Sequence, residues 1–139
     1  MIARPPFEVF AYVDDVSREL EWQPTLRVAG QEPPGPTQIG SRKRYESWFL
    51  GRNIENTYVV TEFEPGRRIV CETEKGSAVD ARTEVVCEAA GTGTRITMSI
   101  DGKPRGALRF VPAKVLEATY RAELDGALAR LKERMEGAP

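Results

Sequence analysis

Between residues 38 and 101 the chain alternates strand-forming runs with short Gly- and Pro-containing breaks, a pattern that few architectures accept. The runs 39–50, 53–63, 67–74, 79–89 and 94–101 are rich in β-branched and aromatic residues. Gly51-Arg52, Glu64-Pro65-Gly66, Lys75-Gly76-Ser77 and Gly91-Thr92-Gly93 separate them. Connections this short reverse the chain but cannot carry it back to a parallel neighbour, so the spacing predicts an antiparallel meander. Gly91-Thr92-Gly93-Thr94 looks like a phosphate loop, but it lacks the lysine and following helix of one and reads as a hairpin turn.

Helices flank this block. Pro5-Pro6 followed by Phe7, Val9, Phe10, Tyr12 and Val13 predicts a helix starting near Pro6 and stopping near Asp14-Asp15. A second short helix fits 17–21, with Ser17 as its N-cap, and Trp22-Gln23-Pro24 ends it. The Pro- and Gly-rich stretch 33–36 is a loop. At the other end Leu116, Tyr120, Leu124, Ala127, Leu128, Leu131 and Met135 recur every three or four residues. A helix over 112–136 would be roughly 37 Å long, enough to cross the whole sheet. Strands gathered in one block with helices outside it describe an α+β domain, and 139 residues suit one domain over 1–139.

The chain contains no histidine. Ser-His and Cys-His nucleophile pairs, HExxH zinc sites and His proton shuttles are therefore excluded. The 20 Lys+Arg balance 21 Asp+Glu, which argues against nucleic acid as a partner. Arg42-Lys43-Arg44, with Glu46, Glu55, Glu62 and Glu64 nearby, reads as a solvated strand face. Cys71 and Cys87 read as small buried apolar residues. Asp14, Asp15 and Asp101 read as cap and turn residues. No metal site and no cofactor is expected. With no apolar run of about 18 residues and no signal-peptide core, the expectation is a soluble cytoplasmic protein with no membrane insertion.

Several runs resemble the SRPBCC superfamily, closest to its polyketide cyclase/dehydrase-like branch, relatives of START and birch-allergen domains. They are the stretch from Pro5-Pro6-Phe7 to Val13, Glu21-Trp22-Gln23-Pro24, Gly51-Arg52, the stretch from Tyr58 to Arg68, Gly93-Thr94-Arg95 and Leu131-Lys132. The similarity covers residues 3–136. It implies a helix-grip fold, in which a curved antiparallel sheet of six to seven strands wraps a long C-terminal helix. It also implies a pocket between them for a hydrophobic small molecule. Relatives place a full strand before the first helix, whereas only Met1-Ile2-Ala3-Arg4 stands here. An exposed sheet edge invites pairing with a second subunit, so a homodimer through that edge is one expectation.

A two-residue turn at Gly51-Arg52 sets Phe49 opposite Ile54, Ser47 opposite Asn56 and Tyr45 opposite Tyr58, on one face. That face is the more apolar, so it is assigned inward, with Ile69, Cys71, Thr83, Val85, Cys87, Ile96, Met98 and Ile100 joining it. Leu108, Val111, Leu116, Thr119 and Tyr120 are expected to close the pocket from the helix side, with Trp22 near its mouth. The candidate ligand-binding residues are Trp22, Tyr45, Ser47, Phe49, Asn56, Tyr58, Val85, Met98, Leu108, Leu116 and Tyr120. Asn56 needs a polar partner there, and a ligand or bound water would supply one. Trp48 falls on the outer face, which means either a dimer contact or a mistaken register.

Two functions lead in this reading, ahead of a third, a protein-interaction role through the short sheet edge and Trp48. The first is binding of a lipid-, polyketide- or aromatic-like molecule without chemistry. The alternative is a polyketide cyclase/aromatase or dehydratase. In that case Tyr45, Tyr58 or an inward Arg/Glu pair such as Arg82 and Glu84 would move protons, after pKa shifts from burial. Tyr45 and Tyr58 read equally as amphipathic core residues with satisfied hydroxyls.

Overall fold

The structure is a computed structural model that describes residues 1–23, 25–49, 51–104 and 110–137, with the side chains of Phe49 and Pro104 outside the description. Helix α1 (Pro6–Asp14) has Pro6 in its first turn and buries Val9, Phe10 and Val13. Helix α2 (Val16–Trp22) follows at once and buries Glu19 and Trp22. Asp15, not Ser17, caps α2. Its carboxylate accepts from the Ser17 backbone N–H at 3.0 Å and from the Ser17 hydroxyl at 2.6 Å, because the helix begins one residue earlier than its composition suggests.

Six strands follow in sequence order: β1 (Leu26–Glu32), β2 (Arg42–Phe49), β3 (Arg52–Glu64), β4 (Arg68–Thr73), β5 (Val79–Ala90) and β6 (Gly93–Pro104). Every neighbouring pair is antiparallel. Strand β1 was not anticipated from the sequence. Its alternation is broken by a register shift between Leu26 and Val28, and Ala29 and Gly30 carry little strand preference. A second shift between Val60 and Glu62 interrupts the pairing of β3 with β4. Such bulges bend a sheet. Strand β2 starts at Arg42, later than expected, because Ile39 and Gly40 form a turn, closed by the Ser41 N–H donating to the Gln38 carbonyl at 3.0 Å, that leaves Ile39 66% exposed.

The β2–β3 hairpin differs from the predicted register by two residues. Phe49 already pairs with Arg52, so Ser47 lies opposite Ile54, Tyr45 opposite Asn56 and Lys43 opposite Tyr58. Gly51 sits in the turn at φ 76°, a conformation that glycine adopts without steric cost. An even slip moves partners but not faces. The inward set therefore survives, and Trp48 stays outside, 44% exposed. The Arg27 guanidinium lies 4.6 Å from its ring centroid, a cation–π arrangement that covers one ring face.

On the outer face the charges pair as expected. Arg42 meets Glu74 and Glu32, Arg44 meets Glu46 and Glu55, and Arg68 meets Glu62 and Glu84. Lys43 does not belong with its neighbours in sequence. It points inward, 3% exposed. Asp101 pairs with Arg82 inside β6 and is not a turn residue.

The five residues before α1 form no full strand. Ile2 makes an isolated antiparallel bridge to Thr94, with both backbone hydrogen bonds at 2.8 Å. The end of the last helix holds the same segment. Lys132 Nζ donates to the Met1 carbonyl, Arg4 Nε donates to the Met135 carbonyl, and the Ala3 N–H donates to Glu136.

Helix α3 (Ala113–Glu136) has 24 residues and so runs roughly 36 Å along the sheet. Its C-terminal half packs Ala127 and Leu131 against Ile2, Val9, Phe10, Trp22 and Val60. Its first turns pack Leu116 against Ile54, Val79 and Ala81. These are two separate apolar clusters, and the middle of α3 spans the gap between them.

Candidate functional site

Under that middle stretch lies a cavity of about 250 Å³. The inward residues of β2 to β6 form its floor, and Tyr120, Glu123, Leu124 and Ala127 of α3 form its roof. Eight of the predicted contact residues border it: Trp22, Tyr45, Ser47, Asn56, Tyr58, Val85, Met98 and Tyr120. Ile69, Cys71, Thr83 and Ile100 border it as well. Leu116 does not, because its side chain fills the second apolar cluster. Leu108 and the Phe49 side chain lie outside the described residues. Arg82 and Glu84 are not an inward pair: Arg82 reaches the exposed Glu62, and Glu84 accepts from Arg68 on the outer face. Asn56 has a protein partner, since its Oδ1 accepts from the Val79 N–H at 3.2 Å.

The polar end of the cavity rests on two residues that the sequence reading left out of the site, Glu19, which it did not name, and Lys43, which it assigned to a solvated face. Glu19, on α2, is 4% exposed. Its Oε1 accepts from the Tyr45 hydroxyl at 2.8 Å and its Oε2 from Gln23 Nε2 at 2.7 Å. Burial raises its pKa to about 7, against the opposing pull of Lys43 and of the Tyr45 hydrogen bond. Beside it, Lys43 Nζ donates to Asp14 Oδ1 at 2.7 Å and to the Asp14 carbonyl at 2.8 Å. Asp14 is thus half of a buried ion pair and no mere cap. Strand alternation was the available signal for Lys43, which shares a face with Tyr45 and Ser47. For Glu19 the signal was its i, i+3 spacing from Trp22 on a short helix.

Tyr45 and Tyr58 meet edge to face, with ring centroids 5.9 Å apart. Burial, and then the Glu19 charge, push the Tyr45 hydroxyl well above its usual pKa; burial chiefly does the same to Tyr58. On the roof, burial raises Glu123 to about 7, and burial followed by the Glu123 charge raises Tyr120. Cys71 and Cys87 are free and buried, each pushed up to about 11 chiefly by burial, which keeps them in the unreactive thiol form. The Trp22 indole N–H is buried without a hydrogen-bond partner among the described residues.

This arrangement can enclose a small apolar molecule, hold its polar groups against Tyr45, Glu19 or Glu123, and exchange a proton with it near neutral pH. Among the described residues, no helix is long and apolar enough to cross a membrane.

Comparison with known proteins supports the same architecture. The structure is similar to that of the Zhui aromatase/cyclase from a Streptomyces species, with a TM-score of 0.81 and 17% sequence identity over 97% of this chain and 88% of that one. It is similar to a START superfamily protein from Mycobacterium smegmatis, with a TM-score of 0.79 and 16% identity over 98% of this chain and 92% of that one. At these identities the likeness is one of fold. No curated protein sequence matches the chain. The family described as polyketide cyclase / dehydrase and lipid transport matches residues 1–136. Sheet, gripped helix and the cavity between them agree with that match, and the chain belongs to this family.

Proposed function

We propose that the protein binds a hydrophobic small molecule, of lipid, polyketide or aromatic type, in the cavity between the sheet and α3. The observation that carries this reading is the gap left between two packed clusters. Protein interiors are normally filled, yet here α3 bridges about 250 Å³ of space bordered by Ile69, Val85, Met98, Ile100 and tyrosine rings. Native mass spectrometry against a broad panel of lipids and polycyclic aromatics tests it. At least one class should bind, and Met98→Trp, which fills the space, should abolish binding. If no panel member binds the wild type, the reading is wrong.

The Tyr45–Glu19 hydrogen bond favours a second reading, cyclisation or dehydration of such a ligand. A carboxyl raised to about 7 is suited to both donate and accept a proton at physiological pH. Turnover of a poly-β-keto substrate should then fall by about 10²-fold or more in Glu19→Gln. Unchanged turnover in that variant and in Tyr45→Phe would remove both residues from any chemistry.

A further inference from the structure

We propose that this cavity selects an apolar molecule carrying a protonated amine and turns carboxylates away. The proposal rests on reading the cavity as a ligand site and adds the chemistry of the ligand's head.

The charge balance of the wall comes first. Asp14, Glu19 and Glu123 border the cavity, against Lys43 as the one cation among the described lining residues; Glu84, also at its edge, sends its carboxylate to the outer face. Glu84 is neutralised from outside by Arg68 at 2.6 Å. Lys43 is committed to Asp14, through both its carboxylate and its carbonyl. Among the described residues no cation is left to receive a ligand carboxylate, and two acids, Glu19 and Glu123, lack a countercharge at bonding distance.

Glu123 is the second observation. It is half-buried on the roof, and among the described residues no side chain donates a hydrogen bond or forms an ion pair to it. A carboxylate against an apolar wall without a partner is costly. A ligand ammonium would remove that cost and form a charge-assisted hydrogen bond. The Tyr58 and Tyr120 side chains bordering the same space offer ring surface of the kind that attracts ammonium groups. Burial alone accounts for the upward shift of Glu123, and it outweighs the pull of Lys43 at Glu19, as expected where carboxyls lack a cation. A neutral hydroxyl can donate to Glu123 but brings no charge. A carboxylate meets like charge, an arrangement that suppresses wrong partners.

Calorimetric titration at about pH 8, where alkylamines remain protonated, with octylamine, octanol and octanoate isolates the head group on a constant tail. Octylamine should bind at least about tenfold more tightly than octanoate, with octanol between them. Glu123→Gln and Glu19→Gln should each shrink the preference for amine over alcohol, with circular dichroism reporting that both variants fold. Octanoate binding as well as octylamine would overturn the proposal, as would an amine preference unchanged in both variants. Octanol binding without octylamine binding also overturns it, while leaving the cavity as a ligand site. If none of the three binds and the broader panel fails too, the ligand-site reading itself falls.

Discussion

The Tyr45 hydroxyl donates to Glu19 Oε1 at 2.8 Å, which ties strand β2 to helix α2 across the polar end of the cavity. Sheet and short helices thus meet at a buried acid, and the stability of that junction depends on the acid's proton.

The first prediction concerns that proton. Glu19 has a folded-state pKa of about 7, against about 4.3 in an unfolded chain. The native state therefore binds the proton more tightly, and stability falls as pH rises from the unfolded value through the folded one. Below that window both states are protonated and no penalty exists; above it the penalty is complete, of order 4 kcal/mol. Glu19→Gln should be more stable than wild type at pH 8 and should flatten this slope. Urea denaturation at a series of pH values measures both, and a wild-type slope retained in the variant would assign it to other groups.

Tyr45→Phe removes one of the two donors to Glu19. Because that hydrogen bond holds the Glu19 pKa down, its loss should move the midpoint of the pH-dependent transition upward. The variant should also lose about 1–3 kcal/mol at alkaline pH, where the carboxylate is left short of a donor. Acidic pH should shrink the loss. An equal loss at every pH would mean that packing of the ring, not the hydrogen bond, dominates.

Much of this was legible in the sequence because strand faces follow a period of two. Tyr45, Ser47, Asn56, Tyr58, Val85 and Met98 all border the cavity as their alternation implies, even though the hairpin register differs by two residues. The order of elements was legible for the same reason, since turn residues punctuate it. Strand β1 escaped notice because its bulge breaks the period on which the reading relies. Lys43 and Glu19 escaped for another reason: a charged side chain is assigned to solvent unless its partner is known. Asp14 lies 29 residues from Lys43 in sequence, and Tyr45 lies 26 from Glu19. Such pairs exist only once the helices have docked on the sheet.

The Lys43–Asp14 pair should behave as a buried unit. Lys43 is 4% and Asp14 16% exposed in their side chains, so removing one partner strands the other's charge. Asp14→Asn and Lys43→Met should each cost about 3–5 kcal/mol. The double variant should cost less than the sum of the two, because no charge is then left unpaired. A double-mutant cycle by chemical denaturation measures the coupling. Simple additivity would show that each side chain acts through separate contacts.

Gly93 makes the N-terminal bridge possible. A Cβ built there would collide with the Ile2 carbonyl oxygen and press on the Ala3 backbone, where Ile2 and Thr94 exchange their two hydrogen bonds. Gly93→Ala should therefore push residues 1–4 off the edge of β6 and expose Ile2, which is 2% exposed in the native fold. Burying an isoleucine side chain contributes about 1.5–3 kcal/mol, so a stability loss of that size is expected. Ile2→Ala removes the same packing without the backbone clash and should keep the bridge. Hydrogen exchange separates the two cases: the Ile2 and Thr94 amides should lose protection in Gly93→Ala and keep most of it in Ile2→Ala. Protected amides in Gly93→Ala would mean that the segment shifts to accommodate the methyl group.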